Sequence, residues 1–156
     1  MHTPYPSTTR HGHQNQRPPQ QKVLIDLSDI RLGDSISDRL YAEIAEAKAE
    51  FIAKHSPNNK NKSTQLRKFY DELVLWNEKV NGKGTDKERL ARYRELAPLI
   101  KMLHAKVVYA KGRQHVDENF EKLFRHLLDQ INDHRTLEQA KLFFEAFMGF
   151  YKAFKG

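Results

Sequence analysis

From Ile36 to Phe154 the apolar residues fall three and four positions apart, block after block, and no stretch alternates as a half-buried strand would. That regularity restricts the chain to helices packed on helices. Ile36, Leu40, Ile44, Ala47 and Phe51 predict a first helix. It opens near Ser35 or Ser37 as cap, carries Asp38 in its first turn and closes at His55-Ser56-Pro57. Leu66, Phe69, Tyr70, Leu73, Trp76 and Val80 give a second, capped by Ser63 and stopped at Asn81-Gly82, where a left-handed cap is cheap for glycine. Thr85-Asp86-Lys87-Glu88 is a capping box that opens a third. Pro98 either kinks that helix or starts a fourth, running to Gly112. Val116, Phe120, Leu123, Phe124, Leu127, Leu128 and Ile131 mark a fifth. Thr136-Leu137-Glu138-Gln139, a second capping box, opens the last. Its apolar face, from Leu137 through Phe143, Phe144, Phe147 and Tyr151 to Phe154, is wide enough for a core and for a partner surface besides. The expected fold is all-α, a compact bundle of five or six helices.

Residues 1–21 show no such periodicity. They are rich in Pro, Gln, Ser, Thr and His, and such a segment cannot bury enough surface to offset its ordering entropy. The expected organisation is therefore a disordered basic tail over 1–22 and a helical-bundle domain over 23–156. Val23 to Ile30 is an apolar and acidic lead-in with no assignable structure. No apolar run approaches the roughly 18–20 residues that span a bilayer, and the N-terminus lacks the apolar core of a secretory signal. A cytoplasmic protein without membrane contact is expected.

The net charge of +7 is unevenly spread. Residues 23–50 hold seven acids against three bases. Residues 51–70 hold Lys54, Lys60, Lys62, Arg67 and Lys68, and residues 96–116 hold Lys101, Lys106, Lys111 and Arg113, with no acid in either stretch. One such run is as well read as a solvated face. Two in one small domain, if the fold brings them together, form the footprint of a polyanion binder.

The more specific run is Lys60-Asn61-Lys62-Ser63-Thr64-Gln65-Leu66-Arg67-Lys68, a basic loop flowing into a helix start. Unpaired backbone N–H groups and the positive end of the helix dipole favour phosphate there. Lys60, Lys62, Arg67 and Lys68 surround that end, with Ser63, Thr64 and Gln65 as further donors. Ser63 also has the simpler role of cap, and the bases that of keeping the loop solvated. In the second run Lys101, His104 and Lys111 fall on one line of a helix, while Lys111 and Arg113 also suit the negative C-terminal end beside the Gly112 stop. Lys106 lies between them, and Tyr109 is equally a core residue or a stacking platform for a base.

Catalysis has no comparable signature. Without cysteine there is neither a disulfide nor a thiolate. The eight histidines fall in the tail or away from the spacing of a helical metal site, and no His-Glu-x-x-His occurs. There is no glycine-rich phosphate loop and no nucleophile elbow. No catalytic residue, metal or cofactor is expected.

Three stretches carry a family likeness. Ser63 to Tyr70 (STQLRKFY) resembles the Ser-Gln-(Ile/Leu)-Arg-Lys-Phe-Tyr-like signature of the small helical subunit of type III-A CRISPR effector complexes. Leu103 to Arg113 (LHAKVVYAKGR) is similar to that family's alanine- and lysine-containing helix, and Phe144 to Lys152 (FEAFMGFYK) to its closing Phe-Glu-Ala-x-x-x-Tyr. In order, they cover residues from about 37 to 156. The resemblance implies several copies stacked along an assembly, beside other subunits that include the nuclease, and lining the groove that holds guide RNA and target RNA. Carried over by position, it implies RNA contacts at Lys62, Gln65, Arg67 and Lys68, with Lys106, Tyr109 and Arg113 behind them. The leading expectation is a non-catalytic binder of the RNA backbone, with sequence left to base pairing. The rival is a protein–protein adaptor that uses the aromatic last helix and never meets RNA, and a small nuclease ranks below both.

Overall fold

The computed structural model describes residues 3–4 and 23–155, so the tail expected over 1–22 lies, apart from residues 3–4, outside the described residues. Among the described residues there are six α-helices and no strand. A π-helical turn, Leu40–Ile44, runs into α1, Ala45–His55. Then follow α2, Ser63–Asn81; α3, Asp86–Lys101; α4, Leu103–Gly112; α5, Glu118–Gln130; and α6, His134–Lys155. The fold is the all-α bundle that the periodicity predicts.

The wide apolar face of α6 makes it the centre of the bundle, packed against both α1 and α2. Phe143, Phe144, Phe147 and Tyr151 are fully buried, Met148 and Phe150 are half-buried, and Phe154 is 46% exposed. A chain of rings ties three helices together. Phe69 of α2 lies 4.9 Å from Phe124 of α5, Phe124 lies 5.5 Å from Phe144 of α6, and Phe144, Phe147 and Tyr151 follow at 5.4 and 5.5 Å. Each ring buried this way is worth about 2–3 kcal/mol of apolar transfer.

The first helix departs from its expected stripe. Leu40 is buried, but the residues that follow it inward are Ala45, Ala49 and Ile52, while Ala47 is exposed and Ile44 and Phe51 are only half-buried. The cause is the π turn, closed by Ile44 N donating to Arg39 O at 3.1 Å. Its extra residue per turn rotates everything after it by one position. The rotation also turns Lys48 inward, where it pairs with Asp29 at 2.8 Å.

Several ends differ from expectation. Ser37 accepts from Arg39 N but caps no helix, since the π turn begins only at Leu40. Ser63 is the first residue of α2, and no side chain caps that helix. Gly82 is right-handed, and the left-handed glycine is Gly84 at φ +94°. The Thr85–Glu88 capping box is present. Pro98 lies inside α3, which breaks four residues later at Met102 before α4 begins. The last helix is capped by Asp133 rather than Thr136. Thr136 N donates to Asp133 Oδ1 at 2.7 Å, and Thr136 Oγ1 accepts from Asp133 N at 3.0 Å.

The lead-in becomes a strap without regular structure, held by side-chain amides. Asn119 accepts from Ile25 N at 2.9 Å and donates to Val23 O at 3.0 Å. Gln130 does the same for Leu32 N and Ile30 O, and Gln139 for Gly33 N and O. Ile25 and Ile30 are buried beneath it.

Candidate nucleic-acid interface

The two acid-free stretches meet through one buried asparagine. Asn61, with no exposed surface, sits in the left-handed region at φ 55°, a conformation Asn tolerates better than most residues. Its N–H donates to His115 O at 2.9 Å, and its Oδ1 accepts from Asp117 N at 2.9 Å. Its Nδ2 donates to Ser56 Oγ at 2.7 Å, and its carbonyl accepts from the Tyr151 hydroxyl. Burial pushes that phenol up to about 12, so it stays a donor at every ordinary pH. The loop carrying Lys60 and Lys62 is thereby fastened beside the turn carrying Arg113 and His115.

That turn closes α4. His115 N donates to Ala110 O and Gln114 N to Lys111 O, both at 2.9 Å, with Gln114 left-handed at φ 62°. This is a Schellman closure with Gln in the position usually taken by Gly, two residues beyond the Gly112 stop expected from sequence.

Downstream of Asn61, α2 and α4 enclose a groove of about 310 Å³ lined by Gln65, Lys68, Lys106 and Tyr109, with Phe69 and Ala110 in its floor. Tyr109 is 67% exposed, which removes the core reading of that side chain. Lys60 and Lys111 line a second groove, beside His55 and Asp117. Lys62 and Arg113 are exposed, and Ser63 is half-buried.

Not every cation is free. Lys106 pairs with Glu72 at 2.5 Å, Lys111 with the largely buried Glu121 at 3.7 Å, and Arg67 approaches Asp71 at 3.9 Å. Lys101 leaves the expected line altogether, donating to Leu128 O and Ile131 O at 2.6 and 2.7 Å to close α5. Burial holds its ammonium below the usual lysine range. His104 faces Asp129 at 3.3 Å, and burial lowers its imidazole against the pull of that carboxylate. Among the described residues Lys60, Lys62, Lys68 and Arg113 stand in no ion pair.

Arg67 points to the other flank of α2. There it lines a groove of about 430 Å³ with Ser63, Thr64, Tyr70, Met148, Gly149 and Lys152 of α6. Lys152 escaped the sequence reading because it is an isolated base near the chain's end. Its neighbourhood with Arg67 exists only once α6 lies along α2. No three His, Asp or Glu gather as a metal site among the described residues, and none of their helices is long and apolar enough to cross a membrane.

Fold and surface together define a small basic helical bundle that presents cations around one uncapped helix start. The Csm2 Type III-A family model matches residues 40–156, and the chain belongs to that family, the small subunits of type III-A CRISPR effector complexes. Members are structural subunits, assembled with the other subunits of the complex and with copies of themselves. No curated protein and no solved structure matches the chain.

Proposed function

We propose that this chain is a non-catalytic subunit that holds the backbone of guide or target RNA through the start of α2 and the end of α4, without reading sequence. The observation that supports it most is the fastening by Asn61. It sets Lys60, Lys62 and Lys68, all without carboxylate partners among the described residues, beside Arg113 and Tyr109. The N–H groups of Ser63 and Thr64, which open α2, meet no capping side chain and remain open to an anion, while Gln65 N already donates to Lys62 O. Contacts of this kind carry no base information, which suits a subunit of an assembly in which pairing reads the sequence.

The test is the salt dependence of binding to single-stranded RNAs of unrelated sequence. Replacing Lys68, which lines the α2–α4 groove, by Ala weakens all of them alike and flattens the slope of log K against log salt by about 0.7 for the lost phosphate contact. A folded variant with the wild-type slope removes Lys68, and with it the α2–α4 groove, from the interface. The adaptor alternative is disfavoured because most of the aromatic face of α6, its intended docking surface, is spent on the core. Reversing the charges of Lys62, Arg67 and Lys68 together decides between them, since an adaptor assembles and functions normally after it.

A further inference from the structure

Gly149 has no reason inside the chain to be glycine. It lies well within α6, where glycine costs helix stability relative to alanine, and a Cβ built on it meets nothing within 4 Å. Gly82, by contrast, has the Glu78 carbonyl in the way, Gly33 and Gly84 need positive φ, and Gly112, in equally open space, is the last residue of α4 and not an interior one. What surrounds Gly149 is the groove on the outer flank of α2. Its floor is apolar, from Met148 and Tyr70, and the Tyr70 ring is fixed by stacking on Phe144 at 6.5 Å and by its hydroxyl donating to Glu145 at 3.2 Å. Arg67 and Lys152 line the same groove, with the hydroxyls of Ser63 and Thr64. Lys152 meets no carboxylate among the described residues, and the one facing Arg67, Asp71, is an exposed partner at 3.9 Å that screens it little.

We infer that this groove is a nucleotide subsite for single-stranded RNA. Gly149 lets the base and ribose lie against the bare backbone of α6 beside Met148, while Arg67 and Lys152 hold the flanking phosphates. Apolar floor and cationic rim match the two halves of a nucleotide, and the groove is continuous with the helix start at Ser63 and Thr64. The inference rests on the RNA-binding reading above and extends it to a second face of α2. The strand would then pass over the start of that helix from the α4 side to the α6 side.

The experiment is fluorescence anisotropy of the full chain with a labelled 20-nucleotide single-stranded RNA, alongside thermal melting. Gly149→Gln fills the groove without changing charge and has space to fold. Its expected melting temperature equals or exceeds that of the wild type, while RNA affinity falls roughly ten-fold, the scale of losing one stacked base. Lys152→Gln keeps the fold and flattens the salt slope by about 0.7. If the wild type binds and both variants bind as it does, this site is overturned and the α2–α4 interface stands. Should the variants bind RNA normally but fail to join the other subunits, the groove takes protein and the inference is again wrong. A wild type that binds no RNA overturns both readings together.

Discussion

Replacing Asn61 by Ala tests the fastening on which the interface depends. Two side-chain hydrogen bonds disappear, to Ser56 Oγ and from Asp117 N, each worth about 1 kcal/mol net. The backbone at φ 55° then holds a residue with a Cβ and no local polar compensation, at a cost of about 1–2 kcal/mol. The bonds to His115 O and from Tyr151 use the main chain and survive. The expected loss is therefore about 3–4 kcal/mol, or roughly 6–16 °C in Tm for a domain of this size. Urea denaturation followed by far-UV circular dichroism measures it. Asn61→Gly separates the two contributions, because it loses the same hydrogen bonds but not the left-handed strain. It should lie about 1 kcal/mol above the Ala variant. An Ala variant within about 0.5 kcal/mol of wild type, the range of ordinary surface substitutions, would refute the reasoning. So would Ala and Gly variants of equal stability.

Two further outcomes follow from the same contacts. Glu72→Gln frees Lys106 from its carboxylate, so RNA should bind more tightly and with a salt slope steeper by about 0.7, with stability changed by no more than about 1 kcal/mol; weaker binding would mean that Lys106 does not face the strand. Tyr151 has its phenol raised from 10.0 to about 12, so above pH 10 the unfolded chain ionises first, binds fewer protons than the folded chain, and stability falls as pH rises toward 12. Alkaline titration of urea stability should show a shallower fall in Tyr151→Phe than in wild type, and identical curves would remove burial of this hydroxyl as the cause.

What could be read in the sequence was what is decided locally. The Thr85–Glu88 box forms as its spacing predicts because both partners lie within four residues. The start of α6 could not be assigned that way. Asp133 and Thr136 are both competent caps, and the contest is settled by Asn132 and Asp133 donating back to Thr136. The π turn was invisible because its apolar residues, Leu40 and Ile44, fit an α-helical stripe as well as the true one. Only burial of Ala45, Ala49 and Ile52 against α6 selects the rotated face. Asn61 sat in a polar loop, NNKNKS, that reads as solvent-facing. Its partners His115 and Asp117 are more than fifty residues away, and no local pattern announces them.

The charge map shows the same division. Counting bases along the chain found two acid-free stretches, but acidity is decided in space, and α2 and α5 return carboxylates to the second of them. Glu72 takes Lys106, Glu121 takes Lys111 and Asp129 faces His104. What remains positive is gathered where α2 begins and α4 ends, and those two ends are not alike. The carbonyls closing α4 are taken up by Arg113 N, Gln114 N and His115 N, so its negative pole offers little to repel an anion. The N–H groups opening α2 have no capping side chain. Joining a closed negative end to an open positive one leaves a net field that favours phosphate even after Lys106 and Lys111 are paired. The ion pairs thus narrow the footprint to Lys60, Lys62, Lys68 and Arg113 rather than erasing it.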